Sequence, residues 1–398
     1  MIISKLLSAG TNMKRIFFIL AGIAFALVSC RNDDPVKLRQ SAVKKLYKSG
    51  TVKIAVANSF EDNKTLMWES ALLAQEKIND SGILNASLEL VKCEDGGTPV
   101  SGTKKAYEIA SDNQICAVIG HGYSDISVPC SLIYQYYGLL TFNYISTVHK
   151  LTGRKNPLIF SNMPDDNNYG DAIAKICERK NFKRVLIYNL ENTSGISLSD
   201  AFEFSCSNIG INVVNRERFD ISTSNAEIDM SVKRWKSDFV FDAVFIAGRM
   251  PVLHNIITIM RDNGVNCPII GADPFDDPLL TKNLPASENE RIFAVSNYNI
   301  SSQNVHFKDF FDAFKAKYGV EPDQEALQVY DALFVLAKAI SLAKTPVPSK
   351  VAAVMHENIW DEAAGPYSFD EEGAVKNRQL TVKVFKNGKF EEYNFPDD

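Results

Sequence analysis

The sequence predicts an α/β protein of two lobes, each a parallel sheet with helices on both faces. Short runs of β-branched and other apolar residues alternate with amphipathic helical stretches, the pattern of repeated strand–helix–strand units. The series runs through four strands and then begins again after about residue 170, so one sheet is followed by a second. At 398 residues, with 45% apolar and 23% charged residues, the chain is long enough for two domains of ordinary size and has the balance of a globular protein.

In the first series, residues 52–57 (VKIAVA) form a short apolar run of the kind buried in a parallel sheet. Trp68, Ala71, Leu72, Gln75 and Ile78 follow at helical spacing. Strand 88–93, helix 103–110, strand 116–120, a helix near 126–137 and strand 139–142 complete it. The second series reads helix 171–179, strand 184–188, helix 198–206, strand 212–219, helix 226–236 and strand 243–247. A helix marked by Leu253, Ile256, Ile257 and Met260 precedes a strand at 268–271. Late helices are predicted over 307–317 and 326–342. Segments 380–385 and 390–393 flank Asn387-Gly388, a hairpin signal.

Composition excludes several classes. Lys plus Arg number 43 against 48 Asp plus Glu, a net charge of −5 with no basic block, so nucleic acid is not an expected partner. Seven cysteines are too few for a disulfide-built scaffold. Lys14 and Arg15 precede an apolar run at 16–28, short of the roughly twenty residues a spanning helix needs, which reads as a secretory signal. Met13 is the more natural initiator. Residues 27–30 (LVSC) resemble the lipobox of bacterial lipoproteins, which implies cleavage before Cys30 and acylation of its thiol. Residues 1–29 are then the signal peptide and 30–50 a lipidated tether lifting the body off the membrane, with a weak helical signal at 39–48.

In open parallel sheets ligands bind beyond the carboxyl ends of the strands, where loops present free amides and helix N-termini. Four loops qualify: 120–124 (GHGYS), 143–147 (NYIST), 247–251 (AGRMP) and 271–274 (GADP). Enzyme chemistry finds little support. No P-loop, HExxH, CxxC or GxSxG motif occurs. His121, Ser124 and Asp125 crowd one loop, whereas triads are assembled from separate elements. Asp273, Asp276 and Asp277 lack the glycine and distal glutamate of a calcium loop. No catalytic residue, metal or cofactor is expected, and His254 reads as an exposed helix residue.

Nine segments in order carry a resemblance over about residues 51–393: VKIAV at 52, INDSGI at 78, AVIGH at 117, HKLT at 149, FDAVFIAG at 241, NCPIIGAD at 266, AKYGVEPD at 316, YDA at 330 and GPYSFDEEG at 365. Together they resemble the type I periplasmic binding proteins, specifically the leucine/isoleucine/valine-binding branch. The resemblance implies two lobes joined by three hinge crossovers, near Met163, Ser296 and Val375. Lobe 1 is then 51–163 plus 297–375, and lobe 2 is 164–296 plus 376–398. A ligand in the cleft shifts the lobes toward closure.

The resemblance also implies site residues. Ser124, Ser146 and Thr147 match positions that hold an amino-acid carboxylate, and Asp273 matches the acid that holds the ammonium. The first loop, Asn58-Ser59-Phe60-Glu61, departs from the usual Ser-Gly-Pro. Three pocket tyrosines of the family align with Ser194, Arg249 and Glu325, which makes the expected site polar and charged. Arg249 would grip a second carboxylate or pair with Asp273. A polar or acidic amino acid, or a related carboxylate, is therefore the expected ligand rather than a branched aliphatic one. The family's lobe-one disulfide positions are Gly97 and Tyr123 here. Cys93, Cys116, Cys130, Cys177, Cys206 and Cys267 read mainly as core thiols, with pairing of Cys93–Cys116 or Cys177–Cys206 left open. The function implied is a monomeric, lipid-anchored extracytoplasmic protein, in the periplasm or at the cell surface, that delivers a small solute to an ABC permease. A ligand-sensing receptor of the same fold is the alternative.

Overall fold

The structure is a computed structural model in which residues 34–61, 65–298 and 304–395 are described. Cys30 and the expected signal peptide lie outside them. The first element bears out the weak helical signal at 39–48 and corrects the tether reading over the described part of 30–50: Pro35–Lys48 is a helix, α1, with Asp34 capping the Val36 amide at 3.0 Å. It packs on the first lobe and is no free tether.

Five parallel strands follow: β1 (Thr51–Asn58), β2 (Ser87–Glu94), β3 (Ile115–Ile119), β4 (Leu140–Asn143) and β5 (Ile159–Ser161), in the order β2-β1-β3-β4-β5. Helices α2 (Met67–Ser81), α3 (Pro99–Ser111) and α4 (Ser124–Tyr136) connect them. Alternate residues of β1 serve two cores. Ile54 and Val56 join Met67 and Ala71 of α2 on one face, while Ala55 and Ala57 join Ala106, Ile109 and Ile126 on the other. Burial of both faces explains why β3 reads as an unbroken apolar run, ICAVI.

The chain then enters a second sheet through α5 (Asp166–Arg179), β6 (Arg184–Leu190), α6 (Thr193–Asn208), β7 (Asn212–Phe219), α7 (Asn225–Asp238), β8 (Ala243–Ala247), α8 (Val252–Asp262), β9 (Ile269–Gly271), α9 (Pro278–Thr281) and β10 (Ile292–Ser296). Its two faces bury separate clusters: Leu186, Tyr188 and Trp235 on one, Val185, Ile187 and Phe202 on the other. Next, α10 (Val305–Tyr318), α11 (Gln324–Ala343) and α12 (Pro348–Glu357) return to the first lobe, where Phe310, Leu333 and Met355 join its core. Helix α11 is long and apolar enough to cross a membrane, yet most of it is buried inside this core. A small antiparallel sheet, β11 (Trp360–Glu362), β12 (Gly365–Phe369) and β13 (Val375–Lys376), covers the same core with Trp360 and Tyr367. Finally β14 (Thr381–Lys386) and β15 (Lys389–Glu392) form a hairpin on the second sheet, whose order is β15-β14-β10-β9-β8-β6-β7. Its turn holds Asn387 and Gly388 at φ +53° and +82°, the left-handed geometry that Asn-Gly favours.

Two groups of polar contacts organise this frame. At the base of the first lobe, Arg39 of α1 is fully buried and donates to the carbonyls of Ala110, Asp112, Ile115 and Tyr137. It thereby ties the ends of α3 and α4 and the start of β3 to α1, and burial lowers its pKa to about 10. Between the lobes, Arg378 lies on the passage from β13 to β14. It donates to the Asn162 carbonyl at 2.7 Å and to Asn297 Oδ1 at 2.9 Å, linking the other two passages between the sheets.

Candidate functional site

On the first lobe the site is built from the loops after β3 and β4. Gly122 runs so close to Asn58 that a Cβ there would sit 2.2 Å from Asn58 Oδ1, so only glycine leaves the loop in place. Ser124 opens α4, and its Oγ lies 2.8 Å from Ser146 Oγ. Asn143, at the end of β4, fixes the second loop. Its Nδ2 donates to the Ser146 carbonyl at 2.6 Å and its Oδ1 accepts from the Ser146 amide at 3.0 Å. Among the described residues, the first-turn amides of Ser124 and Asp125 have no protein acceptor, as helix geometry dictates.

The second lobe faces these loops with the ends of β6, β8 and β9. Asn192 caps α6, accepting from the Gly195 amide at 2.8 Å and from Ser194 Oγ at 3.2 Å. Gly248 and Arg249 follow β8. Asp273 follows β9, and its carboxylate accepts from Tyr169 Oη on α5 and from the Asn297 amide at 2.9 Å. Burial raises its pKa to about 6 against these bonds.

Between the two sets of loops lies a cavity of about 200 Å³. Its polar lining includes Ser124, Ser146, Thr147, Ser194 and Asp273, and its apolar lining Ile145, Leu190, Leu198, Ile246, Ala272 and Pro274. Several contacts cross between the lobes around it. Thr147 Oγ1 donates to Asp166 Oδ1 at 2.6 Å, and burial raises the Asp166 pKa to about 6. The Thr193 amide donates to Asp125 Oδ1 at 2.9 Å. The Arg249 guanidinium lies 4.4 Å over the centre of the Tyr123 ring. The arrangement can enclose a small molecule and lines it with the carboxylates of Asp125 and Asp273, the Arg249 guanidinium, several hydroxyls and a helix N-terminus.

Residues 55–389 match the family described as Periplasmic binding protein. The chain belongs to that family. Among curated relatives, a Pseudomonas aeruginosa protein named as binding leucine, isoleucine, valine, threonine and alanine is 26% identical over 338 residues, 83% of this chain and 89% of that one. The Leu/Ile/Val-binding protein of Escherichia coli K12 is 26% identical over 76% of this chain and 80% of its own. The crystal structure of an ABC transporter substrate-binding protein from Desulfitobacterium hafniense in complex with Leu is 27% identical. It superposes with a TM-score of 0.75, covering 86% of this chain and 100% of that one. A leucine binding protein from Thermotoga maritima shares the fold, with a TM-score of 0.77 at 23% identity over 87% of this chain and 99% of that one. This periplasmic binding protein is thus a binding protein and no enzyme, of a family whose name places it outside the cytoplasm.

In this binding protein the structure brings Ser124, Ser146, Thr147, Ser194, Arg249 and Asp273 to one cavity. Glu325 is elsewhere: it sits in the first turn of α11, outside the cavity lining, where it accepts from Tyr144 Oη at 3.2 Å. Nor is Arg249 paired with Asp273. The carboxylate is taken by Tyr169 and Asn297, and the guanidinium turns to the Tyr123 ring instead. The polar, charged pocket read from the sequence is therefore largely aliphatic on its walls. Sequence reasoning missed Leu190, Leu198 and Ile246, which look like ordinary strand and helix core residues, and Tyr169, whose position inside α5 carries no local signal.

His121 is buried away from the cavity, 2.7 Å from Asp95 Oδ2 through Nδ1 and 2.8 Å from Tyr134 Oη through Nε2, so it shares no relay with Ser124. The six described cysteines are unpaired, which rules out both pairings left open. Burial holds the thiols protonated, that of Cys116 with its pKa raised to about 12.

Proposed function

We propose that this chain captures a free amino acid with an aliphatic side chain between its lobes and delivers it to an ABC permease. The observation that carries the reading is the polarity of the cavity. Asp273 of the second lobe faces the hydroxyls and free first-turn amides at Ser124 on the first lobe, with Leu190, Leu198 and Ile246 among the walls. An ammonium suits the buried carboxylate. A carboxylate suits the helix N-terminus and hydroxyls, and hydrogen bonds to charged groups contribute roughly 1.5–3 kcal/mol each. Burying a leucine-sized side chain adds roughly 1.5–3 kcal/mol. The names of the relatives, which bind leucine, isoleucine and valine, support the same class.

One observation favours a second reading, an acidic amino acid. Arg249 lines the cavity and no carboxylate pairs with it among the described residues. Calorimetric titration of the purified chain with leucine, threonine and glutamate separates the two. The first reading expects saturable leucine binding, whereas glutamate binding without leucine binding overturns it and installs the second.

The membrane anchor belongs to the same proposal. Lipid on Cys30 would leave only residues 31–34 before α1, a reach of at most about 14 Å. The body then sits close to the bilayer with the base of its first lobe toward it. Cys30→Ala is expected to release the protein from the membrane fraction; an unchanged distribution contradicts the anchor.

A further inference from the structure

We propose that Tyr123 and Asp125 of the first lobe, with Arg249 and the Thr193 amide of the second, form a latch beside the cavity that sets how long a ligand stays. The proposal deepens the capture reading and rests on it for its ligand.

Tyr123 and Asp125 flank Ser124 at the start of α4, so the residues on either side of a cavity serine reach across to the other lobe. Thr193 is the first residue of α6, and its amide is a first-turn donor that its own helix cannot satisfy. The cap of that helix, Asn192, spends its Oδ1 on Gly195 and Ser194. Asp125 Oδ1 supplies the missing acceptor from the opposite lobe at 2.9 Å, placing a carboxylate at a helix N-terminus, where the dipole favours it. Arg249 has the same character. No carboxylate of its own lobe pairs with it among the described residues, and the partner it does have is the Tyr123 ring, 4.4 Å away on the other lobe. The Thr147–Asp166 bond differs, because Asp166 follows directly on the first passage between lobes and stays near Thr147 in sequence. The two latch contacts join loops remote from every passage, and parting of the lobes must break both.

The consequence is kinetic. Contacts made only in the closed form raise its population, and a ligand enclosed between lobes leaves only from the open form. Weakening the latch therefore multiplies the dissociation rate by the rise in open fraction, by the same factor for ligands that make no contact with the latch residues themselves. A residue that touches the ligand would instead change the order of preference among ligands.

The test uses the full chain and its Asp125→Ala, Arg249→Gln, Tyr123→Leu and Tyr123→Phe variants. Dissociation of leucine, threonine and glutamate is followed by stopped flow, and the unliganded proteins are compared by small-angle X-ray scattering. Asp125→Ala is expected to speed dissociation about tenfold, and Arg249→Gln and Tyr123→Leu about threefold, with one common factor for leucine and threonine, whose side chains carry no charge for Arg249 to hold. Tyr123→Phe keeps the aromatic face and recovers most of what Tyr123→Leu loses. Without ligand, the Asp125→Ala protein is more expanded than the parent. Unchanged dissociation in Asp125→Ala, a reordering of leucine and threonine by Arg249→Gln, or Tyr123→Phe as damaging as Tyr123→Leu overturns the latch. If the parent binds none of the three, the capture reading falls for these ligands and the scattering comparison alone judges the latch: equal compactness of parent and Asp125→Ala refutes it.

Discussion

Two arginines mark two regions of the molecule with opposite physics. Arg39, at the base of the first lobe, is sealed from solvent and spends its guanidinium on four carbonyls. Arg249, beside the cleft, meets an aromatic face and no carboxylate among the described residues. A buried charge with four hydrogen bonds to carbonyls is a fixed part of the fold, because removing it takes away donors that water cannot replace. A charge with a soft partner across a cleft is free to exchange it when the lobes move. The base of the lobe is therefore built to stay put, and the cleft to open.

Substitution at the base should produce the largest effect. Arg39→Ala is expected to cost about 3–5 kcal/mol of stability, since it removes a buried guanidinium and the hydrogen bonds it gives to four carbonyls, two of them at fully buried contacts. Urea denaturation reads this, and leucine dissociation from the folded fraction should not change. A stability loss within about 0.5 kcal/mol, the scale of a surface change, would erase the contrast between the two arginines. Next in size is Asp273→Asn, expected to weaken leucine binding by about 1.5–3 kcal/mol in a calorimetric titration. An unchanged affinity would remove Asp273 from the site.

The pH dependence sharpens the same contrast. Burial raises the Asp273 pKa from 3.8 to about 6, so the carboxylate is charged above that value and neutral below it. The grip on an ammonium is then present at neutral pH and lost as pH falls through about 6; Asp273→Asn should flatten this profile. The sign reverses for the stability of the unliganded protein. A carboxyl whose folded pKa lies above its unfolded value binds a proton more readily when folded, so Asp273 and Asp166 cost stability as pH rises from about 4 to about 6. The Asp273→Asn and Asp166→Asn variants should lose that slope. Glu325→Gln should have the smallest effect on binding, within about twofold, because Glu325 lies outside the cavity; a larger loss would place it at the ligand after all.

Much of the frame was legible in the sequence because parallel strands buried on both faces write themselves as apolar runs. VKIAVA and AVFIA became β1 and β8, and Asn387-Gly388 became the turn of the last hairpin. The loops of the site were legible for a related reason: they come after strand ends, and strand ends could be located. What stayed hidden depends on direction rather than position. Nothing local says that the carboxylate of Glu325 turns to Tyr144, or that Arg249 crosses the cleft instead of pairing with Asp273. The docking of α1 stayed hidden because the helix carries four lysines and is held by Arg39, a residue type that usually signals a surface.

A crystal structure grown with leucine tests the central claim most directly. Capture between the lobes predicts the ammonium within hydrogen-bond distance of Asp273 and the carboxylate against Ser124 and the first-turn amides of α4, with the aliphatic chain on Leu190, Leu198 and Ile246. Leucine bound on an outer face, or a cavity that stays without amino acid at saturating leucine, would contradict it.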